Sequence, residues 1–462
     1  MAALAVLDRE RTVAPPGYNR WFIPPAALAV HLSIGQVYAF SVFKNPLVKR
    51  FGTPLTPIGV IFSIAIVMLG LSAAFGGTWV ERNGPRKAMA VSALCWASGF
   101  VIGALGVRTG QLWLVYLGYG GIGGIGLGIG YISPVSTLIK WFPDRPGLAT
   151  GLAIMGFGGG ALIASPLSTT LLKAYGLPPL DRAAATATVT PIATTFLTLG
   201  IIYAVMMSLG ALAVRVPAEG WRPKGWTPPG PAHSKRLQTM ANVSASNAIR
   251  TPSFWLLWIV LFTNVTAGIG VLEQAAPMIQ DFFSSVNAAE AAGFVGLLSL
   301  ANMTGRFVWS STSDVVGRKP MYLLYLGVGA ACYLLVASAG KTSTALFVAL
   351  TAVIMSFYGG GFATVPAYLK DLFGSIQVGA IHGRLLTAWS AAGVAGPLIV
   401  NAIADSQKAA GKSGAQVYTL SLFIMVGVLI VGFLANLGVR AVDERYHEPE
   451  PAREPQLVGK EA

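Results

Sequence analysis

Charge is what this sequence holds least of. Asp, Glu, Lys and Arg together make up 11% of its 462 residues, against about a quarter in an ordinary soluble domain. That scarcity excludes a chain whose whole surface meets water. Cysteine is nearly absent too: Cys95 and Cys332 each sit inside an apolar run, so no disulfide framework is expected. Histidine occurs four times, and no grouping of His, Cys, Asp and Glu carries metal-ligand spacing. No nucleophile–base pair emerges, so neither a metal site nor an enzyme is expected. The net charge is +14, but its basic residues lie in nothing longer than pairs such as Arg86-Lys87 and Lys235-Arg236. A nucleic-acid partner is therefore not expected.

What the sequence does hold is apolar. Hydrophobic residues make up 54% of it, with 55 glycines and a mean hydropathy of +0.64. Gly is more frequent in transmembrane helices than in soluble ones. Spanning about 30 Å of hydrocarbon takes roughly 20 apolar residues in a helix. Twelve runs qualify, at 21–43, 57–78, 88–107, 112–139, 148–172, 192–214, 253–279, 292–312, 321–340, 345–368, 378–403 and 417–438. The first run continues past signal-peptide length without a cleavage pattern, so it is expected to stay as a membrane anchor. An all-α integral membrane protein of twelve transmembrane helices is predicted, with the lipid bilayer as its surroundings.

One long polar stretch, 215–252, separates the sixth and seventh runs. The expected organisation is a tail (1–20), a six-helix bundle (21–214), a linker without a fold of its own (215–252), a second six-helix bundle (253–440) and a tail (441–462). With both ends placed inside, the inner segments hold 22 of the 32 Lys and Arg and the outer segments 9; the last, Arg306, falls within a run. Such inside enrichment sets orientation. A cell-membrane protein with cytoplasmic N- and C-termini is expected.

The halves also repeat each other. The second and third runs are joined through Gly77-Thr-Trp-Val-Glu81-Arg82-Asn-Gly84-Pro-Arg86-Lys87, the eighth and ninth through Ser310-Ser-Thr-Ser-Asp314-Val-Val-Gly317-Arg318-Lys319. Glu81 and Asp314 are 233 residues apart, the offset of a duplicated six-helix unit with its linker. The fourth run leaves through Lys140-Trp-Phe-Pro143-Asp144-Arg145-Pro-Gly147, the tenth through Tyr368-Leu-Lys370-Asp371-Leu-Phe-Gly374. The 77–87 segment resembles the signature loop of the major facilitator superfamily. Within it, the segments 140–161 and 304–319 resemble the oxalate:formate antiporter family and its monocarboxylate-carrying relatives. The likeness runs from Trp21 to about Arg440. It implies two pseudo-symmetric six-helix bundles around a midplane site, and a transporter that acts as a monomer.

Physically, the repeated junctions form a charge latch. Glu81 is expected to accept hydrogen bonds from a neighbouring helix N-terminus, and Arg82 and Arg86 to reach carboxylates across the inner face. Asp144, Arg145, Asp314 and Asp371 complete the expected gating set. The competing reading is charge that merely sets topology. For His382 and Arg384, at the start of the eleventh run, a gate contact with Asp371 stands beside ordinary capping.

Arg306 is the leading site residue. It lies eight residues before Asp314, about 12 Å from the inner boundary at 1.5 Å per residue. A central Arg costs about 2.5–3.5 kcal/mol on insertion scales, so it normally faces a cavity or a partner. Snorkelling to the inner face is the alternative. The resemblance implies an arginine here that pairs with the substrate carboxylate, a task its planar fork suits. It also places Tyr38, Tyr131 and Tyr358 in the pocket wall, with Phe362 beside Tyr358. A second cation carried by oxalate-exchanging relatives is replaced by Trp389, and expected amides by Val37 and Gly59. One Arg leaves a dianion uncompensated in low dielectric but neutralises a monoanion. A small monocarboxylate anion of the lactate, pyruvate or formate class is therefore the expected substrate.

Coupling to H+ needs a titratable group, and no other cofactor is expected. Glu273 and His31 are the candidates, against a solvated helix-end carboxylate and a packed histidine. Asn302, one turn before Arg306, stands where some monocarboxylate carriers hold an aspartate. The run Gly121-Ile-Gly123-Gly-Ile-Gly126 matches a dinucleotide fingerprint but lacks its preceding strand. Gly120, Gly124 and Gly128 instead form a small-residue packing face, as do Gly156, Gly158, Gly159 and Gly160. The expected function is secondary transport by alternating access. The alternatives are an oxalate:formate-type exchanger and a carboxylate-sensing membrane receptor.

Overall fold

The computed structural model describes residues 4–53, 55–178, 184–227, 237, 239, 241–286 and 288–448. Twelve long helices dominate them. The first is α1 (Ile23–Ile34 and Ser41–Phe51, joined by the 3-10 segment Gly35–Ala39). Then come α2 (Leu55–Asn83) and α3 (Pro85–Thr109). The fourth, α4, runs through Leu112–Val115, a π segment Tyr116–Ile122 and Gly123–Trp141. The first half closes with α5 (Pro146–Ala174) and α6 (Val189–Ala213). The second half opens with α7 (Pro252–Glu273 and Ala275–Phe282) and α8 (Ala288–Val316). It continues with α9 (Arg318–Ala339) and α10 (Thr344–Phe373). The last two are α11 (Val378–Leu385 and Thr387–Ala409) and α12 (Gln416–Gly438). Eleven of these are apolar and long enough to cross a membrane. The remaining one, α8, is 29 residues long and carries Asn302, Arg306 and the hydroxyl run Ser310–Ser313.

Local chemistry sets the helix ends. Pro85, Pro146 and Pro252 stand at N1 or N2, where a missing N–H costs nothing. Thr251 and Ser343 cap α7 and α10 by accepting from Phe254 N and Leu346 N. The duplicated junctions recur as one shape. Gly84 and Gly317, each three residues after its carboxylate, take φ of +84° and +99°, turning the chain at once into the next helix. A side chain there would be strained, so Gly is what the motif requires.

Within the first half α3 packs on α6, α2 on α4, and α1 on α5 and α6; within the second α8 packs on α10, α9 on α12, and α7 on α11 and α12. Large apolar side chains point outward: Phe75, Leu94, Ile201 and Leu434 are all at least 60% exposed. In water this would be a costly surface; in hydrocarbon it is the favoured one.

The halves meet along α5–α8 and α2–α11. A Cβ on Gly151 of α5 would stand 3.0 Å from the Arg306 carbonyl, and one on Gly77 of α2 would stand 2.7 Å from Ala380 Cα of α11. Both contacts lie toward the end bearing Glu81, Lys140 and Asp314, here termed the basic end. The tails and linker gather there too. Val13 bridges Val216, and Val243 bridges His447, while Thr239 N and Val243 N donate to Asp371 O and Phe373 O of α10. The linker, expected to be featureless, thus docks at both ends and forms a short helix, Ala245–Ala248.

The glycine run of α4 is a packing face. Gly120, Gly124 and Gly128 all approach α2, so the dinucleotide match has no chemical content. Gly156 and Gly160 of α5 lie on α1, and Gly158 and Gly159 lie on Met303 of α8. A Cβ at Gly124 would meet the Ala65 carbonyl at 2.8 Å. Gly124→Leu is therefore expected to destabilise the protein by about 1–3 kcal/mol, read as a lower melting temperature in detergent. An unchanged melting temperature would refute this packing register.

Candidate functional site

Arg306 lies at the seam of the two halves and is 1% exposed, so it does not snorkel. Its Nε donates to Asn302 Oδ1 at 2.9 Å, one turn earlier on the same helix. Its Nη1 crosses the seam to the Ile154 carbonyl of α5 at 3.2 Å. No carboxylate pairs with it among the described residues. Its guanidinium carbon lies 5.9 Å from the Phe157 ring and 5.4 Å from the Phe362 ring. Both rings present a negative face to the cation.

An aromatic wall surrounds this charge, built from both halves. Tyr131 of α4 lies 5.8 Å from Phe157, 5.7 Å from Phe362 and 5.8 Å from Trp389 of α11. Phe362 and Trp389 meet edge to face at 4.7 Å, and Tyr38 meets Phe157 at 4.9 Å. Tyr358 of α10 stands one residue before Gly359, whose Cβ would lie 3.2 Å from Arg306 Cγ. All four sequence-predicted wall residues are thus brought together. Their polar atoms share an unusual state: the hydroxyls of Tyr38, Tyr131 and Tyr358, Trp389 Nε1 and Asn302 Nδ2 are buried without a hydrogen-bond partner. Orphaned buried polar atoms are rare and call for an explanation. Each can donate, and the rings that carry them pack on Phe157 and Phe362, which flank one cation, so the cluster suits an anion bearing several acceptor oxygens.

The two coupling candidates differ. His31 is fully buried, with Nδ1 2.5 Å from the Ala153 carbonyl and Nε2 3.1 Å from the Tyr131 carbonyl. It stacks on the Tyr131 ring at 5.3 Å, so it ties α1 to α4 and α5. Glu273 ends the first part of α7, and its side chain lies outside the described residues.

At the basic end, two carboxylates cap helices of the opposite half. Asp314 accepts from Gly147 N at 2.7 Å and Leu148 N at 2.8 Å, at the start of α5. Glu81 accepts from Gly379 N at 3.1 Å, at the start of α11. Each also holds a cation of its own half: Arg318 on Asp314 at 2.6 Å, and Lys140 on Glu81 at 2.5 Å. A carboxylate at a helix N-terminus contributes about 0.3–1 kcal/mol, and up to about 2 when partly buried.

Other gating residues sit differently from expectation. Arg86 is 3% exposed and donates to the carbonyls of Val6, Leu212 and Val214, not to a carboxylate. Its role is to pin the N-terminal tail and the end of α6. The side chains of Arg82 and Arg145 are exposed and make no ion pair among the described residues. Asp144 pairs with Arg20 through two bonds, at 2.6 and 2.9 Å. Asp371 pairs with Arg318 at 3.1 Å and lies 3.9 Å from Lys370, so His382 and Arg384 are not its partners. Sequence reading also missed Phe157, hidden in a glycine run that signals packing alone. It missed Lys140 and Arg318 as well, whose places beside the junction carboxylates were the available signal.

Known proteins are similar to this chain. The family model described as Major Facilitator Superfamily matches residues 26–397 and 275–461. The oxalate:formate antiporter of Oxalobacter formigenes is 25% identical over 391 residues, covering 84% of this chain and 86% of that protein. Apicoplast pyruvate carrier 1 of Toxoplasma gondii is 26% identical over 313 residues, covering 57% and 55%. The crystal structure of the E. coli fucose:proton symporter is 15% identical, with a TM-score of 0.67 over 91% of this chain and 100% of that one, a likeness of fold. Twelve helices, the duplicated carboxylate–glycine junction and the family match together place the chain in the Major Facilitator Superfamily, as a multi-pass membrane transporter.

Proposed function

We propose that this transporter carries small monocarboxylates of the lactate, pyruvate and formate class by alternating access, together with a proton. The observation that carries the substrate class is Arg306: one buried guanidinium, without a carboxylate partner among the described residues, facing a wall of unpartnered donors. A bound monocarboxylate would neutralise that charge and accept from the guanidinium, with Tyr38, Tyr131, Tyr358 and Trp389 donating to its oxygens. The printed names of an oxalate:formate antiporter and a pyruvate carrier among the relatives support a carboxylate cargo. The first name also favours a second reading, an oxalate:formate-type exchanger. Trp389, fully buried where a second cation would stand, weighs against a dianion.

In the same proposal the basic end faces the cytoplasm of a cell membrane and the protein works as a monomer, without a cofactor beyond the coupled proton. Glu81 and Asp314 hold the cytoplasmic side shut by capping α11 and α5 across the seam, with Arg82, Arg86, Asp144, Arg145 and Asp371 setting the surrounding charge. Opening breaks both caps, and the outer side closes in exchange. His31 and Glu273 are the coupling candidates read from sequence.

Replacing Arg306 by Gln is expected to lower uptake of labelled pyruvate into proteoliposomes about a hundredfold or more, since breaking a buried charge pair costs about 3 kcal/mol or more. Unchanged uptake removes Arg306 from the site. An inside-alkaline pH gradient is expected to drive accumulation of lactate or pyruvate but not of oxalate. Oxalate counterflow indifferent to pH would instead establish the exchanger. Asp314→Asn removes the charge from one cap and is expected to shift the equilibrium toward a cytoplasm-open form by about 1 kcal/mol, roughly fivefold. Electron-resonance distances between spin labels on the cytoplasmic ends of α5 and α8 read this directly; an unaltered distribution would exclude the latch.

A further inference from the structure

One buried histidine is used by nothing described so far. His382 lies in Val378–Leu385, the first part of α11, and is 1% exposed. Neither of its ring nitrogens has a hydrogen-bond partner. A neutral imidazole offers one donor and one acceptor, and leaving both unused in a buried place is as unusual as the orphaned hydroxyls beside it. Its ring lies 5.7 Å from that of Tyr131, which also stacks on His31 at 5.3 Å. Tyr131 thus has a histidine from each half beside it.

The two histidines are not equivalent. Both nitrogens of His31 rest on carbonyl oxygens within the first half, so its ring is held there by α4 and α5. His382 has two free nitrogens and sits on the seam itself. Glu81 caps its segment through Gly379 N, and a Cβ at Gly379 would meet Ser136 of α4 at 2.8 Å. The ionisable groups on the elements packed against it are Glu81 and Arg82 on α2, Tyr116, Tyr119, Tyr131 and Lys140 on α4, Tyr358, Tyr368, Lys370 and Asp371 on α10, Arg384 on its own segment, and Glu273 at the end of the first part of α7, whose side chain lies outside the described residues; His31 on α1 and Arg306 on α8 stand beyond them. Glu81 is engaged by Lys140 and Gly379 N, and Asp371 by Arg318. No carboxylate bonds His382 among the described residues.

We propose that His382 is the site that takes up the coupled proton, an inference that rests on the proton-coupled transport proposed above. With the site empty, the positive charge of Arg306, which lies 5.4 Å from the Phe362 ring that in turn packs on Tyr131, opposes a second cation nearby. A carboxylate bound to Arg306 cancels that charge, and the neutral imidazole then accepts one proton to become imidazolium. Substrate (−1) plus proton (+1) leave the total charge of the site unchanged, so the empty and the loaded protein reorient with equal charge. An imidazolium without an acceptor in the closed seam also favours the arrangement that admits water. That arrangement is the one with the cytoplasmic side open, where the proton returns to solvent as substrate leaves.

Binding linkage is reciprocal, so the affinity of the purified full chain for pyruvate tests the idea. In the unsubstituted protein the pyruvate Kd is expected to tighten as pH falls from about 8 to 5, by at most about tenfold per pH unit. Titrations in buffers of different ionisation enthalpy should show proton uptake on binding. His382→Gln and His382→Asn are expected to bind pyruvate with a Kd that no longer varies with pH and without proton uptake, while His31→Gln keeps the dependence. Gradient-driven uptake should fall at least tenfold in both His382 variants. An unaltered pH dependence in the His382 variants overturns the proposal, as does its loss in His31→Gln alone. If both His382 variants keep the original melting temperature but bind no pyruvate, His382 is a substrate contact and the proton assignment falls. A pyruvate affinity in the unsubstituted protein that ignores pH overturns the coupling reading itself.

Discussion

A guanidinium taken out of water must be solvated by whatever surrounds it, and much of this structure is arranged around that demand at Arg306. In place of a carboxylate, the protein supplies the Asn302 amide, the Ile154 carbonyl and two ring faces. These are partial solutions: they hold the charge without neutralising it. The position is workable because the seam brings both halves to the same point, so that one half's backbone solvates the other half's cation. Two helices break close by, α1 across Gly35–Ala39 beside Tyr38 and α11 at Leu386 beside Trp389. Irregular backbone at membrane depth is tolerated only where protein or a cavity satisfies it. The same charge that fixes the site's ligand class therefore restricts where the helices can be interrupted.

Closure at the basic end depends on weaker forces, and that suits a part that must open. Each cap contributes on the scale of one or two kcal/mol, small against the packing of twelve helices. The caps are related by the duplication: the junction after α2 holds α11, and the junction after α8 holds α5. In both, the carboxylate sits one turn before a positive-φ glycine, so the side chain projects past the helix end toward the partner. Arg318 and Lys140 hold the two carboxylates in that pose. Glycines at 77, 147, 151 and 383 bring the backbones close enough for short side chains to reach.

Much of this was legible in the sequence, for physical reasons. Hydropathy and Lys/Arg placement reveal helices because the bilayer penalises every exception. Glu81 and Asp314 announced the duplication through spacing, and Arg306 stood out because a mid-run charge is costly. Tyr38, Tyr131, Tyr358 and Trp389 were placed by resemblance, and the structure does gather them. Other features depend on where a side chain turns, which spacing does not encode. Arg86 reads as a latch by motif, yet it satisfies three carbonyls at a loop that only the fold brings near. Phe157 reads as filler among glycines, yet those glycines are what let it approach the cation. His382 reads as a helix-end residue, because the tilt that buries it at the seam is set by Gly379 and Gly383 packing on α2 and α4.

The docked linker has a mechanical consequence. Its start is stitched to the N-terminal tail at Val216, and its end to α10 and the C-terminal tail from Thr239 to Val243. Trp221 also packs on Trp141 of α4 at 4.7 Å, so only the stretch between Trp221 and Thr239 has to follow when the halves rock. Extended at 3.3–3.6 Å per residue it would reach on the order of 60 Å, far more than any rocking motion demands. By length alone the connection sets no limit on that motion. It keeps the halves in each other's company at high effective concentration, and leaves the balance between open and shut to the two caps and to whatever occupies the seam.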